Sequence, residues 1–384
     1  MAMDFSLSKK QHELLQTVRE LAEQKIKPYA RSKDFSLDTE FDWHLVRILA
    51  EHNLVCPTIP EEFGGLGLDT ITTALLMEEI AAACPGLAAV VDANLHAVGP
   101  IMIAGSQRQK EQWLPRLTGA KACLAAFALT EPSGGSDLDS MITLAKKTRR
   151  GFVINGRKDY ILNASQAELI CLFAMTDKLQ KKSSMRCFIV SRETLGVKIE
   201  RLRDIAALDY ARMAEIVFDK AEIDSGSILK ADESYSGYLL LNETFDTGRV
   251  LVGATSVGIA RAAYELAVEH ASNRIQFGRT INKHQAVSHA LVDMAAKIEM
   301  ARLMTWKACW LIDKGHDHTV ASAMAKLTAS AIAQEVTAAA ADILGARAVE
   351  KGSFLEELLR DARVLSTLEG TNNIQRNIIA SLLY

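Results

Sequence analysis

The chain has 384 residues, 49% of them hydrophobic, and carries 44 Lys and Arg against 47 Asp and Glu for a formal charge of −3. That length and apolar content suit two or three domains around a large core, and exclude both disorder and a small disulfide-stapled fold. A near-neutral balance also argues against the broad basic face that nucleic-acid binding needs.

The six cysteines, Cys56, Cys84, Cys123, Cys171, Cys187 and Cys309, lie far apart with no C-x-x-C. They read as small hydrophobes in a reducing compartment, so a cytoplasmic protein without a metal site is expected. The start MAMDFSLSKKQHELL has neither an apolar signal core nor an Arg/Ser-rich transit pattern, and reads as mature. The most apolar stretches, Leu87 to Ala104 and Leu327 to Leu344, are interrupted by Asp92, His96, Gln334, Glu335 and Asp342. No membrane-spanning helix is therefore expected.

At Ser8 the pattern S-K-K-Q predicts a capping box, and Leu14, Val18, Leu21 and Ala22 continue a helix that Pro28 should close. Further helices are predicted over Asp42 to His52, Thr70 to Ala83, Leu87 to Ile103 and Gln107 to Leu117, giving a helical domain over residues 1–122. From Cys123 short apolar runs take over: Leu124 to Leu129, Gly151 to Asn155, Tyr160 to Leu162, Leu169 to Met175, Arg186 to Val190 and Glu215 to Phe218. Turns at Asn155-Gly156, Asp177 to Ser184 and Asp224 to Gly226 separate them, so residues 123–230 are expected to form a small antiparallel β domain.

Residues 231–384 then read as long Ala-rich helices, Ala254 to Asn273, Gln285 to Lys314 and Thr319 to Leu344, followed by Leu355 to Leu358 and a run from Asn373. Their small side chains suit a four-helix-bundle-like domain. The class is α+β in the order α, β, α, without the βαβ alternation of a parallel nucleotide-binding sheet. All 7 prolines lie at or before Pro132, which also favours uninterrupted elements beyond it.

Among the motifs, Phe63 to Gly67 (FGGLG) follows no strand and lacks G-x-G-x-x-G spacing, so it reads as a loop between helices. TEPSGGSD (Thr130 to Asp137) follows a strand and offers hydroxyls and glycine-permitted N–H groups; a cofactor cradle and a simple turn both suit it. In NRIQFGRTINKHQ (Asn273 to Gln285), Arg274 suits a phosphate and Phe277 a flat ring. Glu369, before Gly370 and Thr371 at a helix start, suits either of two roles: complementing the helix N-terminus or acting as a general base.

Taken together, FALTEPSGGSD, the Y-I-L-N segment at Tyr160, FDTGR at Phe245, RIQFG with a following HQ, and RDAR with LEGTNNIQR resemble the acyl-CoA dehydrogenase flavoprotein family in order and spacing. The resemblance implies FAD held between the β domain and the C-terminal bundle of a homotetramer (a dimer of dimers). It assigns flavin contacts to Phe127, Leu129, Thr130 and Ser136, with Tyr160 and Leu162 beside the reactive edge. Arg274, Phe277, Gln285 and the segment with Asp342, Gly345 and Ala346 are assigned to the adenine and pyrophosphate half, partly across a subunit interface, and Thr371 and Asn373 complete the site. For the acyl-CoA thioester the resemblance implies Asp246 and Arg249 at the CoA portion, with Ser136 and Gly370 also on the substrate.

The implied reaction takes a proton from the carbon beside the thioester carbonyl and passes a hydride from the next carbon to flavin N5, with Glu369 as base and an electron-transfer flavoprotein as acceptor. Such a proton is too weakly acidic for a carboxylate in water, so the site must stabilise the enolate; the resemblance implies the Glu369 N–H and a ribityl hydroxyl as donors to the thioester oxygen, and burial under substrate should raise the Glu369 pKa.

Several positions depart from the family pattern. Tyr160 stands where Trp is commonest and Leu162 where a Thr usually meets flavin N5; A-L-D-Y-A (Ala207 to Ala211) puts Asp209 in place of a cation; and GARAV is preceded by Asp342 instead of Gln. Asp92 stands where the far end of the acyl pocket is expected. It reads either as a salt-bridged helix residue or as a second base for a ring carbon, which would favour a short or alicyclic substrate such as a cyclohexane- or cyclohexene-carboxyl-CoA. Two other readings carry their own signatures: a same-fold oxidase or monooxygenase would reoxidise rapidly in air, and a non-redox acyl-CoA-binding scaffold would be colourless.

Overall fold

The computed structural model describes residues 6–35, 37–229 and 236–384; the start of the chain and the expected boundary between residues 230 and 231 lie outside them. The Ser8 capping box forms as expected: Ser8 Oγ accepts from the Gln11 N–H at 3.2 Å, and Gln11 Oε1 accepts from the Ser8 N–H at 2.9 Å. Pro28 does not close the helix that follows. α1 (Lys9–Leu21) passes through a π-helical turn (Ala22–Ile26) into α2 (Lys27–Arg31). Proline has no N–H for an i−4 carbonyl, and the wider turn before it carries the axis past that gap.

α3 (His44–Ala50), α4 (Thr70–Ala83), α5 (Pro85–Ala104) and α6 (Gln107–Trp113) complete the N-terminal domain, and Leu114–Leu117 tightens to 3-10 geometry around Pro115. In α5 almost every residue is buried, including Asp92, Asn94 and His96. By length and apolarity alone, α5 and α7 (Gly237–Asn273) could each cross a membrane. Their apolar windows are 83% and 78% buried inside the fold, as core helices are.

The middle domain is one seven-stranded sheet in the order β1-β4-β2-β3-β7-β6, with β5 also paired to β4. The strands are β1 (Leu124–Ala128), β2 (Leu144–Lys147), β3 (Gly151–Leu162), β4 (Ala167–Met175), β5 (Met185–Ser191), β6 (Val197–Arg203) and β7 (Met213–Asp224). Hairpins such as β2-β3 and β4-β5 are antiparallel as expected, but β1 and β2 run parallel to β4, so the sheet is mixed. The long excursion through TEPSGGSD and the β2-β3 hairpin supplies the crossover that a parallel pair requires.

Asn155-Gly156 is not a turn. It lies within β3, at a register shift against β7, and a Cβ on Gly156 would meet Thr143 Oγ1 at 2.3 Å. The glycine permits close strand approach at a bulge, so two predicted strands are one.

The C-terminal domain contains α7, the hairpin β8 (Ile275–Gln276) and β9 (Arg279–Thr280), α8 (Gln285–Asp313), α9 (Thr319–Leu344), α10 (Phe354–Leu365) and α11 (Asn372–Leu383). α7 lies against α8, α9 and α4. A Cβ on Gly258 would come within 2.4 Å of the Glu78 carbonyl oxygen, so the α4 and α7 backbones touch there. Glu78 and Glu79 of α4 are met by Arg302 at 2.8 Å, Arg261 at 2.7 Å and Arg19 at 2.7 Å, which ties α1, α4, α7 and α8 together.

Candidate active site

The site forms where the end of β1, the end of β3, α5, α7 and the α10-α11 connection converge on a cavity of about 940 Å³. α5 is fixed against β1 by two buried amides. Asn94 Oδ1 accepts from the Ala125 N–H at 2.7 Å, and Asn163 Nδ2 donates to the Val90 and Ala125 carbonyls at 2.9 and 3.2 Å. Residues four apart share a helix face, so Asp92 and His96 both reach the cavity wall.

TEPSGGSD is pinned from below. Buried Lys158 donates to the Leu129 carbonyl at 2.7 Å and pairs with Glu131 at 2.8 Å, while Glu131 accepts from the Ile142 and Thr143 N–H groups at 2.7 and 3.0 Å. Burial drives the Lys158 pKa down to about 8 against the opposing pull of Glu131. Removing one member of such a pair strands the other charge in the interior. Lys158→Met is therefore expected to cost about 3–5 kcal/mol in urea unfolding; a loss below about 1 kcal/mol would show that the loop does not depend on this pair.

Glu369 sits in the α10-α11 connection at φ 53, followed by Gly370 at φ 83. This left-handed pair is held from both sides. Gln375 Nε2 donates to the Glu369 and Gly370 carbonyls at 2.9 and 3.0 Å, and buried Lys326 donates to the Gly370 carbonyl and Asn372 Oδ1, each at 2.9 Å. Thr371 caps α11 through the Ile374 N–H at 3.3 Å. The Glu369 carboxylate thereby turns inward to His96, with Oε2 2.9 Å from Nε2.

His96 Nδ1 lies 2.8 Å from the Asp92 carbonyl oxygen and 3.4 Å from Asp92 Oδ2. Burial works against a charge on the imidazole, but Glu369 and Asp92 outweigh it and raise its pKa to about 10. Burial pushes the Asp92 carboxyl up, aided by Glu369 and opposed by His96. Ligand atoms of the three residues lie within 4.8 Å of one another, a spacing that would also suit a cation. The imidazole lies between the two carboxylates.

Of the residues singled out from sequence, Asp92, Phe127, Leu129, Thr130, Ser136, Tyr160, Leu162, Arg249, Glu369, Gly370 and Thr371 line the cavity. Asp246 lies behind Arg249, paired with it and accepting from Thr319 Oγ1 at 2.7 Å. Arg274, Phe277, Gln285, Asp342, Gly345, Ala346 and Asn373 do not line it; all are exposed, and Phe277 is 94% exposed at the β8-β9 tip. Asp209, the acid in place of a cation, pairs with Arg360 at 3.0 and 3.1 Å, so the exchange creates an ion pair between β domain and bundle. His96, Lys158, Lys326 and Gln375 escaped the sequence reading. The one signal for His96 was its i+4 spacing from Asp92 in an otherwise apolar helix.

Three family models match in chain order: the acyl-CoA dehydrogenase N-terminal domain at residues 8–121, the middle domain at 126–221 and the C-terminal domain at 236–384. The chain belongs to the acyl-CoA dehydrogenase family and is an oxidoreductase. It is 35% identical over 374 residues to a short-chain specific acyl-CoA dehydrogenase of Bos taurus mitochondria, covering 97% of this chain and 90% of that one. It is 33% identical over 378 residues to a cyclohex-1-ene-1-carbonyl-CoA dehydrogenase of Geobacter metallireducens, covering 98% of each. The solved butyryl-CoA dehydrogenase of Megasphaera elsdenii superposes with a TM-score of 0.94 at 31% identity, covering 99% of this chain and 100% of that one.

The residues present fit FAD. Leu129, Leu162 and Tyr160 offer flat apolar walls, while Thr130, Ser136 and Thr371 put hydroxyl-bearing residues on the same cavity. Gly135 closes tightly on Thr130, where a Cβ would meet Thr130 Cγ2 at 3.3 Å. Apolar walls with a few convergent polar groups suit a planar polar-edged ring.

Proposed function

We propose that this protein is an FAD-dependent acyl-CoA dehydrogenase of the cytoplasm acting on a short-chain or alicyclic acyl-CoA, with Glu369 as the base. The carrying observation is the Glu369 carboxylate, turned by two left-handed residues into a cavity walled by the expected flavin-binding segments. Phe127, Leu129, Thr130, Ser136, Tyr160 and Leu162, which line the cavity, would hold FAD, and the bound cofactor would supply the hydride acceptor. Arg274, Phe277, Gln285, Asp342, Gly345, Ala346 and Asn373, all exposed here, serve the distal half of the cofactor from the interface of a homotetramer, a dimer of dimers. An electron-transfer flavoprotein takes the electrons onward.

Glu369 receives the proton as the carbon beside the thioester carbonyl loses it, and the bonding pair moves toward the thioester oxygen. Arg249, 3% exposed and backed by Asp246, brings positive charge to the same wall, in keeping with a role at the CoA portion. Gly370 and Ser136 serve the substrate beside it. Asp92, buried with one oxygen unpartnered, fits a second base toward a ring carbon away from the thioester.

A panel of linear, branched and cyclic acyl-CoA thioesters, scored by anaerobic flavin bleaching, tests the reading; no bleaching by any of them rejects it. Within that panel Asp92→Asn should slow an alicyclic thioester by about 10²-fold, a typical contribution of a positioned base. Butyryl-CoA should change far less, and equal effects on both would remove Asp92 from the chemistry.

A further inference from the structure

The buried helix α5 carries an acid and a base one turn apart, Asp92 and His96, on a face that also meets Glu369. Burying ionisable groups costs free energy unless each charge is paired. The imidazole is fixed with little freedom. Its ring meets Phe127 edge-on at 5.8 Å, and on its other side lies the backbone of α7, where a Cβ on Gly248 would come within 1.9 Å of Nε2. Nδ1 lies 3.4 Å from Asp92 Oδ2 and Nε2 lies 2.9 Å from Glu369 Oε2.

Two carboxylates this close in a buried site cannot both stay ionised without a cation, because like charges favour uptake of one shared proton. Among the described residues, the other cations acting on Glu369 are Arg249 from α7 and Lys326 from α9. Arg249 is already paired with Asp246, and Lys326 donates to the Gly370 carbonyl and Asn372. His96 is the cation in contact with both carboxylates.

We propose that His96 is a positioning residue whose positive charge lets one cavity hold two ionised carboxylates, and that it thereby sets the lower pH limit at which Glu369 works as a base. This rests on the reading of Glu369 as base. With both carboxylates ionised and His96 protonated the trio carries one net negative charge, and without His96 it would carry two.

His96→Gln keeps an amide donor of similar reach and removes the charge. In the holoenzyme the acid limb of the pH profile for flavin reduction is expected to move up by about one pH unit or more, and to return in the double variant H96Q/D92N, which removes the competing anion. An unmoved limb, or a shift that persists in the double variant, overturns the proposal. A second readout needs no turnover. With isotope-labelled histidine, the NMR signal absent from H96Q identifies His96, and in the wild type it should stay at its protonated position through about pH 8. A neutral ring at pH 7 overturns the proposal even where H96Q binds cofactor poorly. A protonated ring in a protein whose flavin no acyl-CoA bleaches would instead sink only the reading of the enzyme.

Discussion

Glu369→Gln is expected to keep FAD and lose flavin reduction by acyl-CoA, by about 10²–10⁴-fold, the range a positioned general base contributes. The amide fills the same volume, so the left-handed turn, the Gln375 and Lys326 hydrogen bonds to its backbone and the cavity walls should all survive. An amide cannot take up a proton at neutral pH, so the α-carbon would have no acceptor within the wall. The flavin spectrum of the purified variant reports cofactor retention, and stopped-flow bleaching without oxygen reports the chemistry. Bleaching at the wild-type rate would remove Glu369 from the mechanism.

Lys326→Met should give the second largest loss, about 10²-fold in the rate of flavin reduction, because it touches the geometry of the base without touching substrate. Methionine reaches as far but donates nothing, so the Gly370 carbonyl keeps only Gln375, and Asn372 Oδ1 keeps only Ser330 Oγ at 3.0 Å. The Glu369-Gly370 pair is then free to relax from its positive φ values, which non-glycine residues adopt at a cost.

The same substitution has a signature in stability. Burial depresses the Lys326 pKa from 10.5 to about 7, against the opposing field of Glu369. Between those two values the folded state binds fewer protons than the unfolded one, so this group's contribution to folding improves as pH rises. Wild-type stability should therefore gain on K326M from pH 7 to pH 10 in denaturant titrations. Parallel stability curves would argue that Lys326 is not depressed, and an unchanged bleaching rate would argue that it does not position Glu369.

Local signals carried the reading far in the helical domains. The predicted spans Thr70 to Ala83 and Thr319 to Leu344 coincide with α4 and α9, because the Asp69 cap that starts the one and the Gly345 that ends the other are written in the residues themselves. The sheet was less legible. β2 and β6 were missed and β3 was cut in two, since short half-exposed strands such as LAKK and VKIERLR carry little hydrophobic contrast, and Asn-Gly marks a turn as readily as a bulge. The parallel pairing of β1 with β4 depends on which strands meet across a long connection, and no local pattern encodes that.

The sequence by itself determined the family and the α, β, α order, and singled out Glu369, TEPSGGSD and Asp92 as candidates, because motif order and residue type are one-dimensional properties. Only the tertiary structure decided what surrounds them. His96 and Glu369 are 273 positions apart yet 2.9 Å from each other, and Lys326 reaches Gly370 from a different helix. Charge, burial and proton affinity depend on distances in space, and those appear only when α5, α7, α9 and the α10-α11 turn pack on one cavity.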